Sequence, residues 1–207
     1  MNIISETKEN ILDVFLDLVS TLGYENVSIR DITKKISITS ASLYNHFESK
    51  RNLLEYTYDY YLKYQFENRK PINMMKEIIE KEEAERIIRA FVYRFETKDR
   101  KKYIRMILIT KIIHMRIYQD STANAIFVER NKSNTEYVID ILRYGVDIGR
   151  IDRSFDIETF ADILIGSMIM MGIKAYTYPG YKEDQLEQEK RIIVIFSQIL
   201  SSVIKWR

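Results

Sequence analysis

The sequence predicts an all-α fold, and three observations carry that expectation. Apolar residues recur at three- and four-residue spacing in most long segments, the mark of one buried helix face. Breakers are scarce, with 6 Gly and 2 Pro in 207 residues, so elements are long and turns few. No segment alternates apolar and polar residues as a half-buried strand does.

The elements follow in order. Residues 5–22 read as a first helix, with Ile11, Phe15, Leu18 and Leu22 along one side and Gly23 placed to end it in a left-handed conformation. Ser28 opens a short second helix, its hydroxyl and the Asp31 carboxylate forming the reciprocal pair of a capping box. Ile29, Ile32 and Ile36 make its apolar stripe. Ile36 to Thr39 is a four-residue turn, and Thr39 caps a third short helix running to about Asn45, with Leu43 and Phe47 facing inward. Ser49 caps a fourth, Lys50 to about Asn68, with Leu53, Leu54, Tyr58, Tyr61 and Leu62 as buried positions. Beyond Pro71 come a weakly patterned helix over 72–82 and a clearly amphipathic one through Ala84, Ile87, Ile88, Phe91 and Phe95. Residues 101–118 form a helix apolar on nearly every side from Met106 to Met115, which predicts burial on several faces. A long helix over 123–148 stops at Gly149, the next runs from Asp156 to about Tyr178, where Pro179–Gly180 interrupt it, and the last covers about 183–205.

Composition excludes several classes of function. With no cysteine there is no disulfide framework and no zinc finger. His46 and His114 are the two histidines, too few for a His-rich metal site, so no metal and no cofactor are expected. Glu6, Glu9, Asp13 and Asp17 do not fit a signal peptide. The longest uncharged apolar run, Ile163 to Ile173, is shorter than the ~20 residues a bilayer span needs. A cytoplasmic protein without a membrane partner is the expectation. Charge is modest: residues 1–50 carry five basic residues against seven acids, but residues 28–50 carry four against two, a mildly positive stretch.

Two short helices joined by a four-residue turn and packed on a longer first helix make a helix-turn-helix. The second of them, Thr39-Ser40-Ala41-Ser42-Leu43-Tyr44-Asn45, is small and polar on its outer side, which permits close approach to base edges in a major groove. The run SIRDITKKISITSASLYNHFESKRNLL, residues 28–54, resembles the DNA-binding region of the TetR (tetracycline-repressor) family. Ser28, the Asp31-Ile32 pair, Ile38-Thr39, Leu43-Tyr44-Asn45-His46-Phe47 and Ser49-Lys50 carry the resemblance, over about a quarter of the chain. Residues 144–172 resemble, less specifically, the family's segment leading into its dimerisation helices. Ser37 stands in the turn where family members often have Gly. A left-handed Ser there costs about 1 kcal/mol. Ser40 and Ala41 stand where Lys and Gly are frequent.

The resemblance implies an N-terminal three-helix DNA-binding domain at 1–49, with the helix-turn-helix at about 27–46. A larger helical effector-binding and dimerisation domain follows at 50–207, about nine helices being expected, with 50–68 as the linking helix. By position, Ser28, Tyr44, His46 and Lys50 match phosphate-contacting residues, and Ser40, Ala41 and Asn45 match base-facing ones. Arg30 is placed to reach backbone or minor groove, and Thr39 and Ser42 complete the DNA-binding set. The implied partners are a double-stranded operator, a second copy of the chain and a small hydrophobic or amphipathic effector. Phe91, Phe95, Met106, Ile109, His114, Tyr118, Tyr137 and Met170 are the expected effector-pocket residues. Ile163, Gly166, Met170, Ile193, Phe196 and Leu200 are expected at the dimer interface, because their segments are apolar over more than one face.

The expected function is a ligand-responsive regulator, most simply a repressor. No phosphate-binding loop, dinucleotide fingerprint, HExxH or GxSxG occurs, so no catalytic residues and no enzyme are expected. The alternative is a helical protein-interaction module that no longer binds DNA, favoured by the lack of Lys and Arg in the third helix.

Overall fold

A computed structural model describes residues 3–93, 99–177 and 181–205. Ten helices occur among them: α1 (Ile3–Leu22), α2 (Ile29–Lys35), α3 (Ser40–Tyr44), α4 (Lys50–Asn68), α5 (Ile72–Lys81), α6 (Ala84–Val92), α7 (Arg100–Arg116), α8 (Ser121–Asp147), α9 (Ile157–Thr177) and α10 (Tyr181–Ser201). An isolated antiparallel bridge joins Ile151 and Ile204. No described helix is long and apolar enough to cross a membrane. The break expected at Pro179–Gly180 lies outside the described residues.

The chain forms two compact units. The first holds α1–α4, α7 and the start of α8 as far as Phe127; the second holds α5, α6, the rest of α8, α9 and α10. The sequence reading divides the chain after Ser49 by role. Packing divides it differently, because α4 and α7 share one apolar core with α1.

In the first unit that core is Ile11, Phe15, Leu16, Ile32, Leu43, Phe47, Leu54 and Tyr58 with Ile109 and Ile113 of α7. Burying a side chain of this size contributes roughly 1.5–3 kcal/mol, which binds the short α2 and α3 to the long helices. Arg105 of α7 reinforces the α1 contact: its side chain is nearly buried and donates to Asp13 and to Glu9. Burial pushes the Asp13 carboxyl up, but hydrogen bonds from Arg105 and Lys101 outweigh it and hold the group below the usual carboxylate range. Leu62, expected to be buried, is exposed.

In the second unit α6 lays Ile87, Ile88 and Phe91 into a core shared with Tyr137, Ile141, Phe160, Leu164, Ile193, Phe196 and Leu200. Gly145 of α8 permits this closeness, since a Cβ there would meet Ile151 Cδ1 at 2.7 Å and Ile79 Cγ2 at 3.1 Å. Arg150 then acts as a clamp. Its buried guanidinium donates to the carbonyls of Lys205 at 2.7 Å, Glu82 at 2.9 Å and Ile79 at 3.3 Å, and the Lys205 amide returns a bond to the Arg150 carbonyl.

Candidate nucleic-acid interface

Local chemistry shapes the reading head. Asp31 N donates to the Ser28 hydroxyl at 3.2 Å while the Ser28 amide donates to the Asp31 carboxylate at 2.8 Å, so the capping box closes as the sequence predicts. The Ser28 hydroxyl and amide together hold the Asp31 carboxyl below its ordinary range. The chain then turns through Ser37, whose φ of 57° is the left-handed value expected there. The Ser42 amide donates to Thr39 Oγ1 at 3.1 Å, starting α3, and the Asn52 amide donates to Ser49 Oγ at 3.0 Å, starting α4.

Because α3 is a single short turn, its two sides are plainly distinct. Leu43 is fully buried and Phe47 nearly so, Phe47 meeting the Tyr56 ring edge-on at 5.3 Å. Ser40, Ala41, Tyr44 and Asn45 are exposed, and Ser42 and His46 are half-buried. Thr39 and Ser28 are exposed too, though both side-chain oxygens already serve as caps.

The positive charge around this face is smaller than the count of basic residues suggests. Lys35 pairs with Asp17 at 2.5 Å. Lys50, a phosphate contact by resemblance, instead turns inward: its ammonium donates to the carbonyls of Tyr24 and Val27, both at 2.9 Å, and lies over the Tyr24 ring. The carbonyls at the α1–α2 corner need donors, and this ammonium supplies them. Arg30 and Lys34 are exposed and make none of the ion pairs found among the described residues.

The same corner is held by a cluster that sequence reasoning missed. Asp120, its side chain 1% exposed, accepts from Arg51 at 2.7 Å and caps α8 through the amides of Thr122 and Ala123. Arg116 reaches Asp120 at 3.4 Å and Glu25 at 3.3 Å, and its guanidinium stacks over Tyr24 at 4.2 Å. Burial pushes the Asp120 carboxyl up, but the Ala123 amide and the charge and hydrogen bond of Arg51 outweigh it and keep the group low. Burial also raises the hydroxyl pKa of Tyr58, which borders the cluster. One local signal was available, an Asp directly before a helix start. Its partners lie far along the chain.

The expected effector and dimer residues scatter. Met106 and Ile109 belong to the first unit's core, Phe91 and Tyr137 to the second's. His114 is half-buried and meets Phe127 edge-on at 5.3 Å. Tyr118 is 93% exposed, because α7 has ended before it, so it is surface rather than pocket wall. Phe95 lies outside the described residues. Of the interface residues, Ile193, Phe196 and Leu200 are buried in their own unit's core and are not a free face. Ile163 and Met170 are 55% and 52% exposed, and a Cβ at Gly166 would meet nothing within 4 Å. Among the described residues of α10, Val194, Ile195 and Ile199 are exposed.

Comparison with known proteins shows what this arrangement is similar to. Residues 11–57 match the family of bacterial regulatory proteins of the TetR type, a span that contains α2, α3 and the start of α4. The negative transcriptional regulator IcaR of the biofilm operon icaADBC, from Staphylococcus aureus, is 42% identical over 48 residues, 23% of this chain and 26% of IcaR. The likeness to the TetR family is one of residues 11–57, about a quarter of the chain. The chain spans about a quarter of the length of IcaR. Solved structures extend the likeness of fold, though not of function, to nearly the whole chain. A transcriptional regulator from Saccharomonospora viridis, in complex with choline, superposes with a TM-score of 0.65 at 16% identity, covering 98% of this chain and 100% of that one. A TetR-family regulator from Agrobacterium tumefaciens gives 0.62 at 16% identity over the same shares.

Proposed function

We propose that this chain is a TetR-family regulator, a homodimeric repressor that holds a roughly palindromic operator, one α3 per half-site, and is released by a small hydrophobic or amphipathic effector. The observation that carries the reading is the split of α3 between a buried anchor, Leu43, and an exposed face of Ser40, Ala41, Tyr44 and Asn45. Such a face, anchored from behind and unobstructed in front, suits insertion into a major groove. Tyr44, His46 and Arg30 border it as phosphate contacts, which orient the head without reading sequence.

A helix-turn-helix meets two half-sites when it works as a dimer. The exposed Ile163, Met170, Val194, Ile195 and Ile199 of the second unit support a self-complementary apolar interface. Repression is supported by the negative regulation for which IcaR is named. Release by an effector needs a large difference in its affinity for the two conformations, about 5 kcal/mol to move the population from mostly bound to mostly free.

The test is duplex affinity of the purified chain as a function of salt. Affinity that falls steeply with salt, by phosphate neutralisation, is the expected result. Affinity no better than that of a Tyr44→Ala, His46→Ala double variant at any salt overturns the proposal.

A further inference from the structure

We infer that the operator presents A·T pairs at the positions α3 reads, with Asn45 the main discriminator against G·C. This rests on the DNA-binding reading above and goes one step into its specificity.

The exposed residues of α3 form two i, i+4 pairs, Ser40 with Tyr44 and Ala41 with Asn45, the latter joined by the Asn45 amide donating to the Ala41 carbonyl at 3.1 Å. Residues so spaced have Cβ atoms roughly 5–6 Å apart. Base pairs rise about 3.4 Å per step, so each pair of side chains meets neighbouring base pairs.

Guanine is read most often by a cation forked onto its O6 and N7. From Ile36 to His46 the chain has no Lys and no Arg. The flanking lysines are committed elsewhere, Lys35 to Asp17 and Lys50 to the carbonyls of Tyr24 and Val27. Arg30 lies on α2, and Lys34 lies a turn before the reading helix. The face therefore lacks the group that guanine selects.

What it holds instead suits adenine and thymine. The carboxamide of Asn matches the N6 donor and N7 acceptor of adenine together, and the methyl of Ala packs on the C5 methyl of thymine. Asn45 is exposed at the end of α3, and no hydrogen bond found among the described residues uses its side chain. Ala41 presents its methyl one turn away. The hydroxyl of Ser40 bonds to either kind of pair and adds no preference.

The experiment selects bound duplexes from a random library with the 207-residue chain. Affinities are then measured on the selected site and on versions carrying single A·T to G·C exchanges, for the parent, Asn45→Ala and Asn45→Asp. Adjacent A·T positions are expected in each half-site. Exchange at one of them lowers parent affinity about tenfold and Asn45→Ala affinity by less than about threefold. Asn45→Asp, which keeps the shape but accepts from cytosine N4, moves the preference at that position toward C. A selected site whose α3-dependent positions are G·C overturns the inference, as does discrimination that survives both variants. An unenriched library overturns the DNA-binding reading itself.

Discussion

The ammonium of Lys50 donates to the Tyr24 carbonyl at 2.9 Å and lies 4.1 Å from the centroid of that same residue's ring. One side chain thus ties the first turn of α4 to the corner that delivers α2. Replacing Lys50 by Met should leave the Tyr24 and Val27 carbonyls without this donor and lower stability by about 1–2 kcal/mol. Urea denaturation measures it. The slope of log affinity against log salt separates this structural role from a phosphate contact. It stays unchanged if Lys50 works inside the protein and loses about one unit if Lys50 touches phosphate.

Asp120 is a hub whose removal takes one carboxylate partner from each of two guanidinium groups, leaving Arg51 with Glu55 and Arg116 with Glu25. Asp120→Asn should cost about 2–3 kcal/mol, below the ~3–5 typical of a fully buried pair because Arg51 is half in solvent. It should also loosen the start of α8, since Asp120 caps that helix. Thermal unfolding with hydrogen exchange at Thr122 and Ala123 checks both effects.

Acid should unfold the protein from its carboxylates. The pKa values of Asp13 and Asp120 are lowered in the folded chain. The unfolded chain, with Asp near 3.9, therefore binds more protons below about pH 4. The stability these groups contribute is fully present above that pH and drains away as pH falls toward their folded values. A urea midpoint level down to about pH 5 and falling beyond it is the expected profile, with a shallower fall in Asp120→Asn. A midpoint that climbs in acid contradicts the assignment.

The exposed apolar residues of α9 and α10 separate assembly from folding. Ile163→Lys with Ile195→Lys should weaken self-association, read by sedimentation equilibrium, while changing protomer unfolding by less than about 0.5 kcal/mol. Phe196→Ala, one position along, should instead cost about 3–5 kcal/mol through the cavity it leaves.

Ser37 is strained by its left-handed backbone. Ser37→Gly should add up to about 1 kcal/mol of stability. Ser37→Val should remove more than that, because a branched Cβ fits this region worst.

Where the sequence could be read depended on the range of the interaction. The boundaries of α2, α3 and α4 were legible because Ser28, Thr39 and Ser49 act within three residues of themselves. The left-handed turn at Ser37 was legible through the resemblance, from the Gly that family members often carry there, and not from the local residues. The inward turn of Lys50 was not, since it depends on carbonyls 23 and 26 residues away. Nor was the pairing of Arg51 with Asp120, 69 residues apart. In α9 and α10 periodicity failed for another reason. Apolar residues surround the helix, so the pattern cannot say that Ile163 and Ile195 face out while Leu164 and Phe196 face in.

The Arg150 clamp makes the tail an internal strut rather than a loose end. A guanidinium shared among three carbonyls from α5, the turn after it and residue 205 loses a strong acceptor once the last few residues are trimmed. Stepwise deletion back from Lys205 should therefore meet a cliff, not a slope, and a reporter is better attached through a spacer than grafted in place of those residues.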